Sequence, residues 1–219
     1  MKKSLLAGVL VIVGACASGS IAQAGTVIPY PNAGTINPEV YTFTATATGN
    51  IVGYLYSANA ADVDQIAMSV NGGPLGPFGI VNTQPVGTQF TFGSVLAGDT
   101  LTFVLQNITE PALLSSNPAA NVDGNQHVYS TAYTNPGPFQ LGTIPTGTFV
   151  AFEDRLPFPF TTGTASDFDY NDDSFVFTNV STSTTPLPAA LPLFAGGLGV
   201  IGLLARRRKR NNAAAIAAA

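Results

Sequence analysis

The sequence is poor in the residues on which several kinds of active site depend. Its 219 residues include no tryptophan, one histidine and one cysteine. Because Cys16 lies in the N-terminal leader described below, a Cys/His catalytic pair and a three-histidine zinc site are both excluded. A Ser/His/Asp triad would have to use His127, and no Gly-x-Ser-x-Gly nucleophile motif accompanies it. We therefore expect His127 to be structural or exposed, and the protein not to be an enzyme.

Basic residues are scarce between the two ends of the chain. Of eight Lys and Arg residues, only Arg155 lies within residues 25–185, whereas all twelve acidic residues do. One arginine against twelve acidic residues gives this interval a net charge of −11. A surface of that sign repels phosphate backbones, so we expect no nucleic-acid partner. It favours bound cations, or it keeps an exported domain soluble.

The first 24 residues have the layout of a secretory signal peptide. Two lysines precede an apolar run over residues 5–17, and residues 22–24 form an Ala-x-Ala cleavage site. Cleavage there would remove Cys16 and leave a mature chain without disulfides. The alternative is lipidation of Cys16, since residues 13–16 loosely resemble a lipoprotein cleavage box.

The C-terminal end combines a short proline motif, an apolar segment and a basic cluster. Residues 187–205 carry no charge, and 19 residues at about 1.5 Å each approach the roughly 30 Å core of a bilayer. The positive-inside rule would keep the basic cluster in the cytoplasm and the preceding domain outside. The basic cluster consists of Arg206, Arg207, Arg208, Lys209 and Arg210.

With Pro186, Leu187, Pro188 and Ala189 as its motif, this arrangement resembles the PEP-CTERM class of bacterial sorting signals, in its Val-Pro-Leu-Pro-Ala variant. The resemblance implies recognition by an exosortase, a membrane-embedded cysteine transpeptidase-like enzyme. Cleavage near the motif would release or re-anchor the domain at the cell surface. A plain single-span membrane anchor is the alternative.

Between the two ends, alternating apolar and polar residues predict an all-β domain of β-sandwich or jelly-roll type. Residues 41–48 and 100–106 alternate most clearly, and Gly, Pro and Asn turns recur about every ten residues. We expect residues 51–56 to pair with the first strand across a Gly-Asn turn, and residues 107–126 to form a long loop. The predicted divisions are signal peptide 1–24, acidic β-sandwich ectodomain 25–180, Ser/Thr spacer 181–185, sorting signal 186–210 with its transmembrane helix, and Ala-rich tail 211–219.

An acidic stretch near the end of this domain is the main candidate site. Asp167, Asp169 and Asn171 have the Asp-x-Asp-x-Asn spacing with which loops place oxygen ligands around Ca²⁺. An EF-hand is excluded because Asp172 replaces the required glycine. The alternative is that these residues only cap and turn a loop. The candidate metal ligands are Glu153, Asp154, Asp167, Asp169, Asn171 and Asp172.

The same stretch resembles a domain of unknown function common in PEP-CTERM and repeat-rich bacterial surface proteins. The resemblance implies an acidic β domain that binds Ca²⁺ and has no assigned activity. We therefore expect an exported structural or adhesive protein of an exopolysaccharide-rich envelope, with carbohydrate binding as the alternative and a glycan-active hydrolase as the third hypothesis. The matching positions are Phe152, Glu153, Asp154, Ser166, Asp167, Asp169, Tyr170, Asn171 and Asp172.

Overall fold

Ten strands form two antiparallel sheets in a computed structural model that describes residues 28–134, 144–161 and 163–186. The prediction of an all-β domain is confirmed. One sheet has the order β10-β1-β5-β3, with β6 also paired to β5. Its strands are β1 (Glu39–Ala45), β3 (Asp64–Val70), β5 (Thr100–Asn107), β6 (Ala112–Ser115) and β10 (Val180–Pro186).

The other sheet has the order β4-β2-β9-β8-β7. β8 and β9, two of its central strands, are buried along nearly their whole length, which explains why they read as nearly continuous apolar runs rather than alternating ones. In β9, Phe175 and Phe177 face the core between the sheets, whereas Val176 packs into a second cluster on the outer face. The strands are β2 (Gly49–Ala58), β4 (Gln89–Val95), β7 (Val128–Tyr133), β8 (Gly147–Phe152) and β9 (Asp173–Thr178).

The core between the sheets is aromatic and joins them in a β-sandwich-like arrangement. Phe103 of β5 stacks on Phe177 of β9, with ring centroids 4.0 Å apart, and meets Phe43 of β1 edge-on at 5.2 Å. The inward positions predicted from alternation in β5, Leu101, Phe103 and Leu105, are all buried. Period-two patterning therefore identified the core face of this strand correctly.

The predicted pairing of β1 with β2 is wrong, because the two strands belong to different sheets. Their connection crosses from one sheet to the other and is held by Asn179, whose side chain contacts it at three points. The Asn179 Oδ1 atom accepts from the Thr46 hydroxyl and the Ala47 amide, both at 2.8 Å, and its Nδ2 donates to the Ala47 carbonyl at 2.9 Å. Turn-forming residues are thus compatible with a sheet crossing as well as with a hairpin.

Two strands lie where sequence patterning indicated none. β6 lies within the predicted long loop of residues 107–126 and pairs with β5. The predicted Ser/Thr spacer of residues 181–185 lies in β10, which is paired with β1 along its whole length. The sandwich therefore extends to Pro186.

The predicted N-terminal signal peptide, transmembrane segment, basic cluster and Ala-rich tail lie outside the described residues. Within residues 28–134, 144–161 and 163–186, no helix is long and apolar enough to span a membrane.

Candidate metal centre

The acidic stretch forms the connection between β8 and β9, and Glu153 is the residue that shapes it. Glu153 follows the last residue of β8 and is fully buried. Its carboxyl accepts hydrogen bonds from the Ser166 hydroxyl and from the backbone amides of Phe168, at 3.0 Å, and Tyr170. Phe168 and Tyr170 have φ of 50° and 57°, in the left-handed region. The loop is therefore wrapped around a buried carboxyl.

Three of the six predicted ligands come together on this loop. One carboxyl oxygen each from Glu153, Asp167 and Asp169 lie within 4.8 Å of one another, and we call these residues the loop triad. Oxygens at this spacing suit Ca²⁺, which binds its ligands at 2.3–2.6 Å. Asn171 donates its backbone amide to Asp169 Oδ1 at 3.1 Å and its side-chain amide to Oδ2. Asn171 therefore holds Asp169 in place.

The other two predicted ligands, Asp154 and Asp172, belong to a different group. The backbone amide of Asp154 donates to Asp172 Oδ2 at 3.0 Å, and both residues line a cavity of 260 Å³. Asp64 and Asp173 lie close enough for their charges to act on Asp154. We call Asp64, Asp154, Asp172 and Asp173 the inner carboxyl cluster.

Sequence reasoning missed Asp64 and did not count Asp173 among the ligands. Asp64 is the first residue of β3 and Asp173 the first residue of β9, so the two sheets bring together residues 109 positions apart in the sequence. One signal was present, because Asp62 and Asp64 form an Asp-x-Asp pair at the start of β3. Nothing in their spacing indicated that they face the later acidic stretch.

Arg155 neutralises a carboxylate outside the inner carboxyl cluster. Its Nε atom donates to Asp62 Oδ2 at 2.9 Å, and Asn107 Nδ2 donates to the same oxygen, also at 2.9 Å. These contacts hold the pKa of Asp62 below its usual range. The distance from Arg155 Nε to Asp154 Oδ1 is 3.9 Å, too long for a hydrogen bond. Arg155 thus pairs with Asp62 and also lies within ion-pair distance of Asp154.

Burial raises the pKa values of Glu153 and of the inner carboxyl cluster. The pKa of Asp64 rises to about 9, with the nearby Asp173 charge adding to the effect of burial. The pKa of Asp154 rises to about 8, from burial and then from Asp172. Burial likewise raises the pKa of Asp173 to about 7, and that of Glu153 to about 7 despite the hydrogen bond from Ser166.

These shifts fix the sign of the pH dependence of stability. A carboxyl whose pKa is higher in the folded than in the unfolded protein stabilises the fold most below its unfolded pKa of about 4. That contribution is lost as the pH rises through the folded values, from about 7 for Glu153 and Asp173 to about 9 for Asp64. Because the loss begins at the unfolded pKa of about 4 and is complete above the folded values, ionisation of these carboxyls weakens the metal-free fold progressively from acid to alkaline pH.

His127 and the aromatic residues outside the acidic loop have structural positions. His127 is fully buried, and its Nε2 lies 3.0 Å from Asp123 Oδ2. Tyr56 and Tyr133 are buried in the outer cluster, where their rings meet edge-on at 5.5 Å. A second cavity, of 440 Å³, lies beside Arg155 and is lined by Glu110 and the half-exposed Phe160.

Comparisons with known proteins found no similar protein. No family model, no curated protein and no solved structure matches this chain.

Proposed function

We propose that this protein is an exported cell-surface or extracellular-matrix component of structural or adhesive type, processed by an exosortase and stabilised by Ca²⁺. The signals at residues 1–24 and 186–210 support export and processing. The −11 charge between them and the loop triad support a role for a cation.

The observation that carries this proposal is the position of the sorting motif relative to the fold. Pro186, the first residue of the motif, is the last residue of β10 and pairs with Glu39 of β1. The motif thus begins where the sandwich ends. Cleavage beyond Pro186 would therefore release or transfer a domain that keeps all ten of its described strands.

Processing is tested by expressing the full chain in a bacterium with an exosortase and in the same strain lacking it. We expect a shorter product, ending close to residues 186–189, only where the enzyme is present. Pro188→Ala should leave the longer form, because it changes the motif beyond the end of β10. Intact-mass measurement decides, and identical masses in the two strains would contradict the proposal.

A Ca²⁺ ion on the loop triad should stabilise the fold by mass action. At a free concentration 100 times its dissociation constant, a ligand that binds only the folded state adds about 2.7 kcal/mol. For a domain of this size, we expect thermal unfolding in Ca²⁺ to occur several degrees higher than in chelator. Asp169→Asn should reduce that difference, since it removes one carboxylate of the triad.

The matched control for this measurement is Asp99→Asn. Asp99 lies in the turn before β5, and its oxygens accept hydrogen bonds from Asn71 Nδ2 and the Leu96 amide, which an asparagine oxygen could accept in part. The substitution removes the same charge far from the acidic loop. An equal loss of the Ca²⁺ effect in both variants would indicate general charge screening and would count against a loop site.

A second candidate function, carbohydrate binding, is favoured by the 440 Å³ cavity. Phe160 offers a half-exposed ring at its edge, and Glu110 and Arg155 supply polar groups beside it. Aromatic faces with neighbouring hydrogen-bonding groups suit sugar rings. Saturable binding of a soluble glycan that is lost in Phe160→Ala would favour this function over a purely structural one.

A further inference from the structure

One edge of the first sheet, the sheet that contains β1, lies open along β10. The opposite edge, along β3, is covered by the chain that follows it. The Gly79 amide donates to the Ile66 carbonyl at 2.9 Å, and the Gly76 amide donates to the Met68 carbonyl at the same distance. Among the described residues, by contrast, β10 is paired with β1 alone. Unpaired backbone groups along a sheet edge are a template for pairing with another chain.

The hydrogen bonds of β1 show which backbone groups of β10 face outward. Ala45 bonds to the turn before β5, because its amide donates to the Asp99 carbonyl and its carbonyl accepts from the Gly98 amide, both at 2.9 Å. Successive residues of a strand direct their backbone groups to opposite sides. Thr44 therefore faces β10, where it pairs with Ser181.

The same alternation runs along β10. The backbone groups of Ser183 bond to β1, whereas those of Thr182 and Thr184 point away from it. Val180 also points away, and its carbonyl accepts from the Thr148 hydroxyl at 2.6 Å. Within the described part of the chain, nothing bonds to the outward amides and carbonyls of Thr182 and Thr184. These four backbone groups form the open edge.

The two edges of the other sheet are protected. Along β7, the Val128 carbonyl accepts from Asn37 Nδ2 at 3.1 Å, so the segment before β1 lies against that edge. Along β4, the pairing with β2 shifts register beside Gly93, whose φ is 132°. Bulges and covering segments are means by which proteins keep sheet edges from pairing with other chains. β10 shows no register shift over its seven residues, and its one proline, Pro186, stands at its end.

β10 also lacks charge, which is another means of protecting an edge. Its seven residues carry no charged side chain, although residues 25–185 together have a net charge of −11. Two copies of this chain can therefore meet along β10 without placing like charges of that strand against each other. The second copy is the partner that this edge fits best, because the same backbone groups are free on both sides.

We propose that β10 pairs antiparallel with β10 of a second copy across a two-fold axis, which joins the two first sheets into one continuous sheet. A two-fold interface brings the same patch of both copies together, and antiparallel strands satisfy that symmetry. The contact requires neither Ca²⁺ nor exosortase cleavage, so it is independent of the proposed function.

The open backbone groups determine the register of this pairing. With Ser183 opposite Ser183 of the second copy, Thr182 lies opposite Thr184 of that copy, and the two exchange both of their backbone hydrogen bonds. This register uses all four open groups and leaves the Val180 carbonyl to Thr148. Ser183 and its counterpart then form a non-hydrogen-bonded pair, with Cα atoms about 4.5 Å apart.

Disulfide trapping tests this register in the full chain, purified in a nonionic detergent. Cys16→Ser in every variant leaves the introduced cysteine as the only thiol. Ser183→Cys should form a covalent dimer on mild oxidation, because a disulfide spans Cα distances of about 4.4–6.8 Å. A non-reducing gel measures the doubled mass, which should return to that of the single chain with a reductant.

The matched control is Thr42→Cys. Thr42 is exposed and pairs with Ser183, so the two side chains share one face of the sheet. In the proposed dimer the two copies of Thr42 are three strand spacings apart, about 14 Å, which is too far for a disulfide. The covalent dimer should therefore be at least about tenfold more abundant for Ser183→Cys than for Thr42→Cys.

A further variant, Thr184→Pro added to Ser183→Cys, removes one outward amide. Proline is tolerated on an edge strand where its missing N–H would face solvent. The variant should therefore unfold at nearly the same temperature as Ser183→Cys alone, while the yield of covalent dimer falls.

The outcomes decide as follows for the β10 contact. A dimer from Ser183→Cys that is absent from Thr42→Cys and lost on adding Thr184→Pro supports it. No dimer from Ser183→Cys refutes it, and means that water or another segment of this chain covers the edge. Equal yields from the two cysteine variants also refute it, because chance collisions or contacts of the predicted transmembrane segment would trap both. If Thr184→Pro does not fold, the comparison of Ser183→Cys with Thr42→Cys is sufficient.

Discussion

Glu153→Ala should lower the free energy of unfolding by about 4 kcal/mol. The substitution leaves three donors, two of them buried, without their acceptor, and each buried unsatisfied donor costs about 1–3 kcal/mol. Those donors are the Ser166 hydroxyl and the amides of Phe168 and Tyr170. Two of the three residues have positive φ, a backbone conformation that is unfavourable for residues other than glycine. Without the Glu153 carboxyl, the hydrogen bonds that hold this conformation are lost.

Urea unfolding at pH 8, where Glu153 is mostly ionised, measures this effect through the transition midpoint. Asp167→Ala is the control, because its side chain is exposed and lies on the same loop. It should change stability by no more than about 0.5 kcal/mol in the absence of metal. Similar midpoints for the two variants would show that the loop does not depend on Glu153.

Phe103→Ala should cost about 3–5 kcal/mol, the usual range for deleting a buried phenylalanine. Its ring is fully buried and contacts both sheets, through Phe177 on one and Phe43 on the other. Removing it leaves a cavity at the centre of the sandwich, and rigid strands on both sides cannot close over it.

The comparison for this prediction is Leu113→Ala, on the nearby strand β6. Leu113 is 56% exposed, so its removal should cost less than about 1 kcal/mol. Guanidinium or thermal unfolding of both variants gives the difference directly. A loss of under 1 kcal/mol for Phe103→Ala would mean that the two sheets are not held together by this aromatic contact.

Strands with strong patterning could be predicted from the sequence, and strands without it could not. Residues 41–48 and 100–106 alternate between apolar and polar side chains and correspond to β1 and β5. β10 consists mainly of Ser and Thr and lies at the edge of its sheet, so little burial marks it in the sequence. Its strand structure depends on backbone pairing with β1, a contact that no local pattern encodes.

The candidate site was predicted in its location and only partly in its composition. Asp167 and Asp169 share a loop, and their spacing alone brings them together. Asp154 and Asp172 lie in the same stretch but contribute to the inner carboxyl cluster, because their charges interact with that of Asp64 in the other sheet. Sheet topology determines which carboxylates lie close together, and the pairing of distant strands cannot be read from the local pattern of a single sequence.

The pairing of β1 with β10 has a consequence for the order of events during folding. Glu39 and Pro186 are partners in the same ladder, so one edge of the first sheet joins residues nearly 150 positions apart. Closing so long a loop costs conformational entropy before the contacts between its ends contribute favourable free energy. Topologies with such non-local contacts fold slowly. A chain that emerges N-terminus first can pair β1 with β5, but it leaves the other edge of β1 unpaired until residue 186 has followed, so β10 joins the sheet last.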